Sequence, residues 1–248
     1  MGSAENMRQV AGIIDREGAN VTAVSAMSGT TDALVKISAL AAEGNGGSGI
    51  AELLGMLRGK YEKCAVELLG ENAGDALNKI NETLELIRKE SAAFTGGRSE
   101  RIILSQGELL TSAIFAMYMA SGKRKSGLLN ALDFMRKTSD EHIDMEFIGD
   151  SLRGIDPDTR YITQGFICRD SSGQVDNLGR GGSDYSAALI GAALGADEVQ
   201  IWTDIDGMHN KETRVVERTL TIRRKQCDER HDLAHFGAKV RQSEAKQP

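Results

Sequence analysis

Two short segments carry residues whose types and spacing suit the handling of an anion. In Leu178-Gly179-Arg180-Gly181-Gly182-Ser183-Asp184-Tyr185-Ser186 the glycines let backbone approach a ligand closely. A helix starting there turns its free N–H groups and the positive end of its dipole back onto the loop, which makes an anion site. Arg180 adds a planar guanidinium whose donors match a carboxylate or a phosphate. A hairpin turn running into a capped helix would use the same residues. The second segment is Ile201-Trp202-Thr203-Asp204-Ile205-Asp206-Gly207. Read as a strand ending in Thr-Asp, it places polar groups at the carboxyl edge of a sheet, where ligands bind in open α/β folds. Ordinary strand-end turn chemistry is the alternative.

Other nucleotide and metal signatures are missing. The sequence contains neither GxxxxGK[ST] nor a strand followed by GxGxxG and a downstream acid. A nucleotide site in this chain is therefore neither of the P-loop nor of the Rossmann kind. His231 and His235 lie four apart, but Asp232 and Ala234 between them break the zincin pattern, so they read as a solvated helix face and no metal site is assigned. The basic run Arg223-Arg224-Lys225 is followed by acids and reads as surface.

The elements that would position these residues alternate along the chain. A helix is expected over Ala4 to Glu17 with Ser3 as its cap, then a buried strand from Val21 to Ser25. Thr31 and Asp32 would cap and open the next helix, and Gly44 to Gly49 reads as a linker. Amphipathic helices follow over about Ile50–Leu69 and Asp75–Ala93, then a loop at Thr95–Arg98 and an apolar helix to about Ala120. Leu128-Leu129 suggests a short strand, and Asp144 to Arg153 a helix. Arg160 to Cys168 alternates as one strand, Arg169 to Asn177 reads as a hairpin loop, and Asp184 to Leu194 as a helix. Glu198 to Trp202 reads as a buried strand. This order argues for an α/β fold around a mostly parallel sheet.

Bulk properties narrow the class. With 248 residues, 40% hydrophobic and 27% charged, the chain suits one large globular domain. The net charge of -6 speaks against a nucleic-acid partner. No apolar run is read as a membrane span, and no apolar stretch after Met1 marks a secretory signal. The three cysteines, Cys64, Cys168 and Cys227, form no CxxC pair and read as reduced thiols of a cytoplasmic protein.

Taken in order, Ser25-Ala26-Met27-Ser28-Gly29-Thr30-Thr31-Asp32, Ser105-Gln106-Gly107-Glu108, Ile162-Thr163-Gln164-Gly165-Phe166, the LGRGGSDYSAAL run from Leu178, IWTDIDG from Ile201 and FGAK from Phe236 resemble the aspartate kinases of the amino acid kinase superfamily. The resemblance implies a three-layer α/β sandwich with a mostly parallel central sheet. Residues 1–180 would form an aspartate-binding lobe, and 181–248 an incomplete nucleotide-binding lobe. It implies ATP-dependent phosphorylation of the side-chain carboxylate of L-aspartate, with Mg2+ held mainly by the phosphates, in a homo-oligomer. Arg180 would hold a substrate carboxylate and Glu108 the substrate amino group. Ser25, Thr31, Phe166 and Ser183 would complete the pocket. Asp184 would orient the catalytic lysine, beside Gly181 and Gly182. Thr203, Asp204, Arg214 and Lys239 would contact ATP, with His209 where the family has a tyrosine.

The chain also departs from the family. The opening Lys-Phe-Gly-Gly-Thr-Ser strand has no counterpart before Gly2, Glu212-Thr213-Arg214 stands for Asp-Pro-Arg, and Arg241-Gln242-Ser243 stands for Leu-His-Pro. Loss of that positioned lysine would slow transfer on the order of 100- to 1000-fold. A noncatalytic binding module on the same fold is the alternative.

Overall fold

The structure is a computed structural model, and it describes residues 1–202 except 45, 123 and 180. Helix α1 (Ala4–Glu17) opens as expected: Ser3 Oγ accepts from the N–H of Asn6, and Gly18 closes it with a left-handed φ of 71°. Strand β1 (Val21–Val24) leads to α2 (Thr30–Glu43). Thr31 and Asp32 do not cap α2. Gly29, at φ 74°, turns the chain, and the helix begins at Thr30 without a side-chain cap.

Helix α3 (Gly47–Leu69) starts inside the run expected as a linker. A turn at Gly70–Asn72 precedes α4 (Gly74–Ala92). Helix α5 (Gly97–Ser121) is continuous through Ser105–Glu108, so the loop before it is shorter than expected. Next come β2 (Ser126–Leu129), α6 (Ala131–Phe134) and α7 (Met145–Leu152), the last capped by Asp144, whose carboxylate accepts from the N–H of Phe147.

The stretch Arg160–Cys168, read as one strand, is two. β3 (Arg160–Gln164) ends at Gly165-Phe166, and β4 (Ile167–Arg169) leaves in a new direction to pair with β5 (Val175–Asn177). The break lies at Phe166, whose φ of 70° no strand accommodates. Helix α8 (Gly182–Leu194) follows the glycine-rich turn.

β3 lies between β1 and β2 and is parallel to both, with Val24 opposite Gln164 and Leu129 opposite Thr163. Alternation along the strands separates two cores. Val24 and Ile162 join the cluster built by α1 to α5, with Met7, Leu34, Tyr61, Ile80, Ile103 and Phe115 fully buried. Val21 and Leu129 pack with the second cluster, of Phe134, Met135, Ile148, Ile167, Leu189 and Ile190. The sheet thus lies between two helical layers, the α/β sandwich expected.

Glu198–Trp202 is not a buried strand. It is irregular and largely exposed, with Trp202 56% exposed and its ring 5.5 Å from the Arg16 guanidinium. Its apolar alternation fits a strand, but a strand also needs a hydrogen-bonded neighbour, and none pairs with it among the described residues. A second correction concerns α5, which is long and apolar enough to cross a bilayer. Of its most apolar 18-residue window, 72% is buried, so the apolar surface is taken up by the two cores.

Candidate functional site

The carboxyl ends of β1 and β3 meet the amino end of α8. Ser25, just past β1, donates from Oγ to Ser183 Oγ at 2.9 Å. Gly165, just past β3, lies against the same residue: a Cβ there would come within 2.7 Å of Ser183 Cα, Cβ and Oγ, so only glycine permits this approach. The N–H of Ile167 donates to Gly165 O at 2.8 Å across Phe166. A two-residue closure with φ 70° at its centre is a γ-turn of the rare, strained form. Gly182 packs on it, its would-be Cβ 3.0 Å from Phe166 Cα and Cδ2.

Helix α8 begins after Gly181, which has a φ of 75° and gives no side-chain cap. The Gly182 N–H is taken by Gly179 O at 3.1 Å, and the positive end of the helix dipole lies beside Ser25 and Phe166. Asp184 sits half-buried in the first turn.

Glu108 enters from α5 and is 4% exposed. Burial pushes its carboxyl up to about 7, against the opposing effect of its own backbone N–H and that of Ala26. Its Oε2 is buried with no partner. A buried, unpartnered carboxylate oxygen beside a loop of the site is a receptor for a cation. The preceding residue sets its place: a Cβ on Gly107 would meet Ala26 Cβ at 2.9 Å and Thr30 Cγ2 at 3.2 Å, so the β1–α2 loop lies directly on α5.

That loop is tied from below. The Tyr61 hydroxyl lies 3.1 Å from Thr30 Oγ1 and 2.9 Å from Thr111 Oγ1, and Thr111 Oγ1 accepts from the N–H of Met27 at 3.0 Å. Lys60 donates to Ser28 O. Gln164, 1% exposed, donates to Ser112 Oγ at 2.6 Å and accepts from the N–H of Ala131 at 2.7 Å, fixing the end of β3 to α5 and α6.

The structure thus brings together Ser25, Glu108, Phe166, Gly181, Gly182, Ser183 and Asp184. Thr31 is exposed on the first turn of α2, next to Thr30 but with no hydrogen bond into the cluster. Arg180, Thr203, Asp204, His209, Arg214 and Lys239 lie outside the described residues. Sequence inspection missed Tyr61 and Thr111, which look like core positions of amphipathic elements, while Gln164 stood in a quoted motif without a role. Ser186 stood in the quoted glycine-rich run, yet nothing in its type marked it as a partner of Phe166.

A profile described as the amino acid kinase family matches residues 1–248. The chain belongs to the amino acid kinase family. Among curated relatives, the chain is 31% identical over 247 residues to an aspartokinase of Chlamydia trachomatis, covering 97% of this chain and 54% of that protein. It is 28% identical over 265 residues to the chloroplastic aspartokinase 1 of Arabidopsis thaliana, covering 99% of this chain and 46% of that protein. Escherichia coli aspartokinase III, solved with aspartate and ADP in its R-state, superposes with a TM-score of 0.88 at 28% identity, over 100% of this chain and 56% of that one. The chain spans about half the length of the curated aspartokinases it matches.

Proposed function

We propose that this amino acid kinase transfers the γ-phosphoryl group of ATP to the side-chain carboxylate of L-aspartate, giving 4-phospho-L-aspartate. One observation carries the proposal. An unpartnered, buried Glu108 oxygen lies against the Ser25–Ala26 loop, which bonds to Ser183 at the amino end of α8, so a receptor for an ammonium stands beside the positive end of a helix dipole. A zwitterionic amino acid matches both. The likeness to an aspartokinase solved with aspartate and ADP supports the same choice.

In this scheme Glu108 pairs with the substrate ammonium. Ser25 and Ser183, which donate and accept with each other at 2.9 Å, open to receive substrate oxygens. Phe166 and Gly182 form the wall behind them, and Arg180 and Thr31 complete the pocket. Asp184 orients charge beside the moving phosphate, next to Gly181. Thr203, Asp204, His209, Arg214 and Lys239 contact ATP. A small, side-chain-free turn suits a phosphate cradle: Gly181 takes a φ of 75°, and a side chain on Gly182 would meet Phe166. Mg2+ would enter with ATP and supply charge neutralisation for the phosphates, with no protein ligand assigned to it. The protein acts in the cytoplasm as a homo-oligomer, at the entry to aspartate-family amino acid biosynthesis.

A second possibility is a binding module without turnover. The exposed, irregular Glu198–Trp202 segment favours it, because that segment was expected to carry the nucleotide-side strand. One experiment separates the two. The full chain is incubated with ATP, Mg2+ and L-aspartate, and acyl phosphate is trapped with hydroxylamine. Aspartyl hydroxamate, absent without ATP, is the expected product. Saturable aspartate binding with no hydroxamate moves the assignment to the binding module, and hydroxamate only from another amino acid moves it to a different member of the family.

A further inference from the structure

The γ-turn at Gly165-Phe166-Ile167 is strained, and strain persists only where surrounding contacts hold it. Both backbone polar groups of Phe166 are held by the segment that carries α8. Its N–H donates to Ser186 Oγ at 3.0 Å, and its C=O accepts from the N–H of Leu178 at 2.7 Å. Ser186 is fully buried and donates in turn to Gly182 O at 2.8 Å, one helical turn back. Its hydroxyl thus serves both ways, as donor to the first turn of α8 and as acceptor from the turn after β3. No other side chain hydrogen-bonds to the Phe166 N–H among the described residues. The contact surface is equally tight: Gly165 abuts Ser183 and Gly182 abuts Phe166.

We propose that Ser186 is a positioning residue that holds Phe166 in its left-handed turn, and so makes the end of β3 and the amino end of α8 a single rigid wall of the ligand site. It acts through Phe166 and touches no ligand itself. Without the hydroxyl, Phe166 relaxes toward an ordinary negative φ. Its ring then leaves Gly182, its carbonyl leaves the Leu178 N–H, and the amino end of α8 loses its fixed distance from Ser25. The consequence for aspartate rests on the function proposed above; the holding of the turn does not.

The test is a double-mutant cycle on the full chain, using Ser186→Ala, Phe166→Gly and both together. Glycine adopts φ 70° without strain, so the turn then depends less on the serine. Loss of the hydroxyl alone is expected to weaken L-aspartate binding about ten-fold by calorimetry. In the Phe166→Gly background the same loss is expected to cost less than about two-fold, a coupling that general destabilisation does not produce. Amide hydrogen exchange of the ligand-free protein supplies the independent arm. The Phe166 N–H should lose protection in Ser186→Ala while amides in the middle of α5 keep theirs. Equal weakening in both backgrounds, or unchanged protection of the Phe166 N–H, overturns the proposal. If the unmodified chain binds no aspartate, the function proposed above fails and the exchange arm still decides whether Ser186 holds the turn.

Discussion

Glu108 shows how a single side chain trades stability for binding. Burial lifts its carboxyl to about 7, so the folded chain retains a proton that the unfolded chain releases near 4.5. Its contribution is therefore complete below the unfolded value and is lost as pH rises through about 7. The ligand-free fold then carries a cost on the order of 1–3 kcal/mol at about pH 8. Glu108→Gln removes that cost. It is expected to raise the melting temperature at about pH 8, to change it little at about pH 5, and to abolish aspartate binding at both. The sign reverses for the ligand: an ammonium favours the ionised carboxylate, so aspartate affinity in the unaltered chain should fall as pH drops from about 8 to about 6. Calorimetric titration across that range, with thermal melts beside it, checks both directions. The residue was legible in the sequence through its place in Ser105-Gln106-Gly107-Glu108, but its unpartnered oxygen was not, because that depends on a loop about 80 residues earlier in the chain lying across α5.

At the scale of elements, the site is a set of strand and helix ends held by a buried hydroxyl network. Tyr61→Phe fills the same space but leaves the Thr30 and Thr111 hydroxyls short of a partner. The expected loss is about 1–3 kcal/mol in urea unfolding, with a larger loss for Tyr61→Ala because a cavity is added. No periodicity pointed to this tyrosine, since a buried aromatic on an amphipathic helix is the ordinary content of a core. Elements set by local pattern were legible: α1 with its Ser3 cap, α7 with Asp144, and β1. Elements set by distant partners were not. The Arg160–Cys168 alternation does not reveal the γ-turn, which exists because α8 presses Ser183, Ser186 and Gly182 against it. The Glu198–Trp202 alternation does not reveal whether a neighbouring strand is there to pair with it.

At the scale of the molecule, α5 joins what alternation along the sheet divides. Ile103, Ile114 and Phe115 lie in one core cluster, while Leu109 of the same helix packs against the other. The two clusters should therefore unfold together. Cys64 lies in the first and Cys168 in the second, and burial pushes their thiols up to about 11 and about 12, which keeps both inert in the folded state. With Cys227 replaced by serine, pulsed thiol labelling along a urea gradient is expected to show both becoming reactive at one midpoint. Separate midpoints would mean two independently stable halves.

The same helix has a consequence during synthesis. An apolar stretch of bilayer length leaves the ribosome well before β3, the strand that lies against it, has been made. At ordinary elongation rates that interval lasts a few seconds. For that time α5 exposes an apolar stretch of the length that a membrane anchor has. Its glutamine, glycine and glutamate at 106–108, the last of them the buried carboxyl described above, are also what lowers its attraction for lipid while it waits.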